Sequence, residues 1–160
     1  MSVDPAAVWE ALNEVMDPEL PVVSVVELGM VRGVTVDGDR VTVALTPTFA
    51  GCPAQAVMQA AVAERVRALG PAAVTVTLQL DPPWTTDWIA DTAREKLRRV
   101  GLATPRPHGG LIQLALDEPA VCPYCGSTQT DLRSAFGPTL CRAIYYCRAC
   151  RQGFELFKPL

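Results

Sequence analysis

Residues 121–160 read VCPYCGSTQTDLRSAFGPTLCRAIYYCRACRQGFELFKPL. Cys122 and Cys125 form one Cys-x-x-Cys pair and Cys147 and Cys150 a second, with twenty-one residues between the pairs. Zinc-ribbon pairs usually stand about 15 to 20 residues apart, and a loop tolerates this small excess. Each pair can fold into a tight knuckle whose backbone N–H groups point at the sulfurs and offset thiolate charge. Gly126 directly follows the first pair and can take a positive φ in that turn. Four thiolates in a tetrahedron suit a closed structural zinc site, one ion per chain. Iron in a rubredoxin-like site uses the same ligands, so spacing leaves the metal open between zinc and iron. Ala143–Tyr146 and Phe154–Phe157, on either side of the second knuckle, have the composition of strands. The segment holds five of the six cysteines and six of the ten aromatic residues. Forty residues are too few for a large core, so a metal staple is expected. Cys141 breaks the pair pattern and reads as a small buried hydrophobe rather than a ligand.

Upstream of this module the pattern changes. Leu102–Pro119 contains Pro105, Pro107, Gly109, Gly110 and Pro119 and reads as a linker with one short strand at Leu111–Leu116. Before it, Asp4 and Pro5 signal a first helix that carries Val8, Leu12 and Val15 at helical spacing. Two prolines in Asp17-Pro18-Glu19-Leu20-Pro21 stop it. Val31–Val36 and Val41–Leu45 are strands joined by a turn containing Asp37-Gly38. A second helix opens at Gly51-Cys52-Pro53 and runs to Leu69, with Val57, Ala61, Val62 and Val66 expected on its buried side. A third strand follows at Val74–Leu80 and a third helix at Thr86–Val100. The expected organisation is a small α/β domain over residues 1–101 (helix, β-hairpin, helix, strand, helix), a linker over 102–119 and a zinc-ribbon module over 120–160.

Composition limits the function classes. Apolar residues make up 49% of the chain and charged residues 19%, which is globular. Net charge is −3, made of −6 over residues 1–120 and +3 over 121–160. Four thiolates on a divalent ion would nearly neutralise the ribbon, so no electrostatic case for nucleic acid exists. The N-terminus is acidic and amphipathic, unlike a secretory leader. No apolar run approaches the roughly 20 residues of a membrane span. Cysteines in such a chain favour metal or thiol chemistry over disulfides, and the expected compartment is the cytoplasm. Small cytosolic proteins are commonly dimers, so a homodimer is the base-rate expectation.

Within the first domain, Cys52 is the candidate functional thiol. A thiol at a helix start is favoured as thiolate by the helix dipole, and it could serve as nucleophile or transient metal ligand. A buried structural cysteine is the plainer reading of a lone residue. Asp17 and Glu19 flank a proline, as solvated turn residues commonly do. His108, the one histidine, sits in the linker, and no Cys/His or Ser/His dyad has sequence support. There is no phosphate-binding glycine loop and no dinucleotide fingerprint.

Met16-Asp17-Pro18-Glu19, Val26-Glu27-Leu28-Gly29-Met30-Val31, Thr46-Pro47-Thr48 and Gly51-Cys52-Pro53 together resemble the SufT-like iron–sulfur assembly domain, over residues 3–100. The four-cysteine tail is similar to that of the PaaD-like proteins, as are Asp81–Ile89 and Phe136–Cys141. Those proteins accompany the multicomponent phenylacetyl-CoA epoxidase (monooxygenase) of aerobic phenylacetate catabolism. Where the family has Asp-Leu-Gly, this chain has Glu27-Leu28-Gly29. The resemblance implies a non-catalytic accessory factor that assists iron–sulfur cluster maturation of the epoxidase reductase component. It places Asp17, Glu19 and Thr46 around Cys52, with iron or a cluster as transient cargo. Implied partners are the reductase, the oxygenase subunits and the iron–sulfur assembly machinery. The competing reading is a structural docking subunit of the oxygenase. An independent thiol enzyme is third, because an activating base is missing.

Overall fold

The computed structural model describes residues 3–110 and 118–160. The short strand expected at Leu111–Leu116 lies outside them. The chain divides into two compact units, Met1–Trp84 and Thr85–Leu160.

The first unit starts with α1 (Pro5–Asn13), capped by the Asp4 carboxylate, which accepts the Ala6 N–H. Val8, Ala11 and Leu12 are its buried face. The connection to β1 folds back on itself: Asp17 N–H donates to Val23 O, and Val25 N–H to Val15 O. This satisfies the backbone of a loop that carries buried Leu20, Val23, Val25 and Leu28. β1 (Val31–Asp37) and β2 (Arg40–Leu45) form an antiparallel hairpin, with Gly38 at φ +61° in the two-residue turn. β2 alternates as a half-buried strand should, with Val41, Val43 and Leu45 in the core. α2 (Gln55–Arg67) crosses over to β3 (Ala73–Leu78), which pairs parallel to β2, so the sheet order is β1-β2-β3.

The buried stripe of α2 differs from the expected one. Met58, Val62, Ala63 and Val66 face the core, while Ala61 is half-buried and Val57 is 60% exposed. Apolar residues occur around much of this helix, so periodicity alone did not select one face. The helix also begins at Gln55 rather than at Pro53.

The second unit opens with a 3-10 turn at Thr86–Trp88, capped by Thr85 Oγ1, which accepts the Asp87 N–H. Ile89 and Ala90 are extended, and α3 spans Asp91–Arg99. The single helix expected at Thr86–Val100 is thus two pieces, and α3 lies in the second compact unit. Leu102–Ala103, expected in the linker, is β4. β5 (Thr130–Ser134), β6 (Arg142–Cys147) and β7 (Gly153–Phe157) complete a sheet of order β4-β7-β6-β5. β4 runs parallel to β7 and the remaining pairs are antiparallel. The small core contains Ala103, Ala120, Phe154 and Leu156 together with Cys122 and Cys147. α3 is tied to this ribbon by Arg98 Nη1, which donates to Pro123 O at 3.1 Å. Gly101 follows α3 at φ +80°, and a Cβ there would stand 2.1 Å from Tyr124 Oη, so any other residue would be strained and would displace the tyrosine. Among the described residues no helix is long and apolar enough to cross a membrane.

Candidate metal centre and thiol loop

The four cysteines of the ribbon converge. Cys122, Cys125, Cys147 and Cys150 place their sulfurs within 4.8 Å of one another. Cys122 Sγ and Cys150 Sγ are 3.6 Å apart, as are Cys125 Sγ and Cys147 Sγ. A tetrahedron with Zn–S bonds of about 2.3 Å has sulfur–sulfur edges of about 3.8 Å. A disulfide would need about 2.05 Å. The donors therefore fit a tetrahedral metal ion and do not form disulfides.

Both pairs are built the same way. Cys122 N–H donates to Ser127 O, and Gly126 N–H returns to Cys122 O. Cys147 N–H donates to Gln152 O, and Arg151 N–H returns to Cys147 O, all four at 2.9 Å. Each turn closes on a left-handed residue, Gly126 at φ +74° and Arg151 at φ +62°. The N–H groups of Cys150 and Ala149 aim at the Cys147 sulfur and hold its thiol down at about 7. Burial pushes Cys150 up to about 12. Four adjacent sulfurs cannot all ionise without a cation, and a bound metal supplies that compensation. Cys141 is buried outside this group, 3.2 Å from Thr139 Oγ1, as expected of a small hydrophobe.

The candidates of the first unit are distributed differently. Asp17 is buried, and its Oδ1 accepts the N–H groups of Glu19 (2.8 Å) and Leu20 (2.9 Å). Thr46 follows β2 and donates its N–H to Met30 O. Its hydroxyl is buried and has no hydrogen-bond partner. Cys52 is half-buried and outside any disulfide, in the β2–α2 loop beyond the C-terminal end of a strand that pairs in parallel. Open α/β sheets commonly place ligands at that end. Cys52 precedes α2 by a turn rather than starting it, which weakens the dipole effect expected there. Among the described residues, the ribbon cysteines are the one set of three or more His, Cys, Asp or Glu ligand atoms within 4.8 Å; Cys52, Asp17 and Glu19 do not converge in this way.

Two constellations went unread in the sequence. Ser24 and Glu27 form a capping box: Glu27 Oε2 accepts the Ser24 N–H, and Ser24 Oγ accepts the Glu27 N–H, each at 3.1 Å. The Ser-x-x-Glu spacing was the available signal. Glu27, whose role the sequence left open, thus holds the turn before β1. In the second unit, the buried His108 ring lies 3.3 Å from Thr86 Oγ1. Asp87 accepts the N–H groups of His108 (2.8 Å) and Gly109 (2.7 Å). Gly110 N–H donates to His108 Nδ1, and the ring's Nε2 faces Thr86 Oγ1. Asp87 approaches that same nitrogen, at 3.6 Å, so the group lacks the acid–base–nucleophile order of a triad. No local spacing announced it, because twenty-odd residues separate its members.

Comparison with known proteins agrees with this geometry. Residues 5–78 match the model of the iron–sulfur cluster assembly protein family, and residues 108–158 match the PaaD zinc beta ribbon domain. The class is therefore a mixed α/β iron–sulfur-assembly domain followed by a four-cysteine metal ribbon. Over 151 residues the chain is 43% identical to an Escherichia coli (strain K12) protein described as one of the subunits of a "Putative 1,2-phenylacetyl-CoA epoxidase", covering 94% of this chain and 90% of that one. The chain belongs to the PaaD family. Two solved structures share its fold in part. One is a domain of unknown function DUF59 from Bacillus anthracis (TM-score 0.55, 28% identity, 58% of this chain and 90% of that chain). The other is a conserved hypothetical protein from Thermotoga maritima (TM-score 0.52, 33% identity, 59% and 94%).

Proposed function

We propose that this protein is an accessory factor of a multicomponent phenylacetyl-CoA epoxidase in aerobic phenylacetate degradation, assisting iron–sulfur cluster maturation of its reductase component. The observation that carries the reading is the separation of two thiol sites. One is closed, with four converging sulfurs. The other, Cys52, is a half-buried thiol outside that group, in a loop of an assembly-family domain. A closed site suits a resident structural ion, here one zinc per chain. A single thiol with an unsatisfied buried hydroxyl nearby in the chain, Thr46, suits transient cargo rather than storage. Cys52 contacts the iron or cluster in transit; Asp17, Glu19 and Thr46 shape its surroundings. The protein itself turns over no substrate. Its partners are the reductase, the oxygenase subunits and the assembly machinery that supplies the cluster.

The test is metal and acid-labile sulfide content of the wild type and Cys52→Ser, purified without oxygen, with cluster content of the co-expressed reductase. One zinc in both proteins, iron and sulfide only in the wild type, and a cluster-poor reductase beside the variant are expected. A fully loaded reductase beside Cys52→Ser would sink the maturation role. It would favour the second reading, a docking subunit of the oxygenase, which rests on exposed Tyr124, Phe136 and Leu140 on the ribbon. Phe136 is 71% exposed, yet its N–H and C=O are both held by Ser134 Oγ. An ordered, outward aromatic is a typical interface anchor.

A further inference from the structure

We propose that β3 is a dimerisation edge, pairing antiparallel with β3 of a second copy to join two three-stranded sheets into one. The two edges of the first sheet differ. β1 carries Arg32 and Asp37 and has a register irregularity between Val31 and Gly33. Charges and irregularities of that kind blunt an edge against pairing. β3, Ala73-Val74-Thr75-Val76-Thr77-Leu78, has neither charge, proline nor bulge. Its residues alternate between half-buried and exposed up to Leu78, and Leu78 and Leu80 are both exposed. Among the described residues no strand pairs with its outer side. An uncharged edge that no strand among the described residues pairs with is an aggregation hazard unless covered, so such an edge is expected to find a partner in the working protein.

The ladder sets the register. Ala73 N–H donates to Asp39 O and Gln79 N–H to Leu45 O, both on the β2 side. In a parallel ladder alternate residues bond the same neighbour. Val74, Val76 and Leu78 therefore turn their N–H and C=O groups outward. A two-fold axis at Val76 makes Val76 exchange bonds with the partner's Val76, and Val74 with the partner's Leu78. It also sets Thr75 opposite the partner's Thr77. From Val74 to Leu78 each pair then joins like with like, apolar with apolar and hydroxyl with hydroxyl, with no charge to repel. That self-complementarity selects a second copy over a strand of different chemistry.

The test is the mass in solution of the full, metal-loaded chain over a dilution series, by sedimentation equilibrium. The wild type is expected as a dimer. Thr75→Lys/Thr77→Lys sets lysine opposite lysine and is expected as a monomer, with unchanged circular dichroism and metal content. Thr75→Glu/Thr77→Glu is expected to behave likewise. An equimolar mixture of the two should regain the dimer, because lysine then faces glutamate. A monomeric wild type would leave the edge to another protein's strand and overturn the proposal. So would dimers that survive in either variant, or a mixture that stays monomeric.

Discussion

Arg151 sits in the left-handed region where its knuckle closes, and Gly126 holds the matching place in the other knuckle. A side chain in that conformation costs roughly 1–2 kcal/mol, because Cβ crowds the following carbonyl. Glycine avoids that cost but loses more freedom on folding. Arg151→Gly is therefore expected to stabilise the ribbon by up to about 1 kcal/mol, read as a higher melting temperature of the metal-loaded protein. Thr46 and Asp17 differ at the same scale. Both are buried polar residues, but the Asp17 carboxylate holds two loop N–H groups while the Thr46 hydroxyl holds nothing. An unpaired buried hydroxyl costs about 1–3 kcal/mol. The polar group of Thr46 thus has the weaker structural explanation and leaves more room for a functional one.

Among the elements, the stretch from the 3-10 turn to His108 is held by its polar groups rather than by regular structure. Arg94 of α3 donates to Thr86 O, Ile89 O, Thr104 Oγ1 and Pro105 O, and Asp87 collects the amides of His108 and Gly109. Burial pushes the Asp87 carboxyl up, but those two N–H groups, with His108 and Arg94 nearby, outweigh it and hold it below its ordinary value. A depressed carboxyl stabilises the fold above the unfolded carboxylate range, and that contribution is lost as pH falls through the folded value. Asp87→Asn is therefore expected to lower stability at neutral pH and to flatten the acid limb of the stability curve. Equal slopes for wild type and variant in acid titrations followed by circular dichroism would refute this.

At the scale of the whole molecule, the two units depend on different forces. The first buries a conventional apolar core with Leu12, Leu28, Met30, Leu45 and Val62. The second has a small core in which Cys122 and Cys147, two of the four converging cysteines, are themselves members. Metal binding in such a module is folding free energy, and it requires thiolates. Chelation, Cys122→Ser, or acidification is expected to release the metal and to abolish amide-exchange protection across β5, β6 and β7. Protection in β1, β2 and β3 is expected to persist. Retained protection of β6 and β7 after complete metal removal would show that the ribbon core suffices without the ion.

The sequence by itself determined the four cysteines that converge, the hairpin, the order of helices and strands through β3, and the family. Those features rest on local spacing: paired Cys-x-x-Cys, an Asp-Gly turn, prolines at helix starts and ends, alternating valines. Tertiary structure decided what local spacing cannot reach. It chose Met58 over Val57 for the buried face of α2, because packing on the sheet selects one stripe from a helix apolar on several sides. It put α3 and β4 with the ribbon, because Gly101 and Tyr124 meet only in the folded chain. It gathered Thr86, Asp87 and His108 across a long stretch of sequence, and it turned the amides of Val74, Val76 and Leu78 outward because pairing with β2 uses the alternate residues.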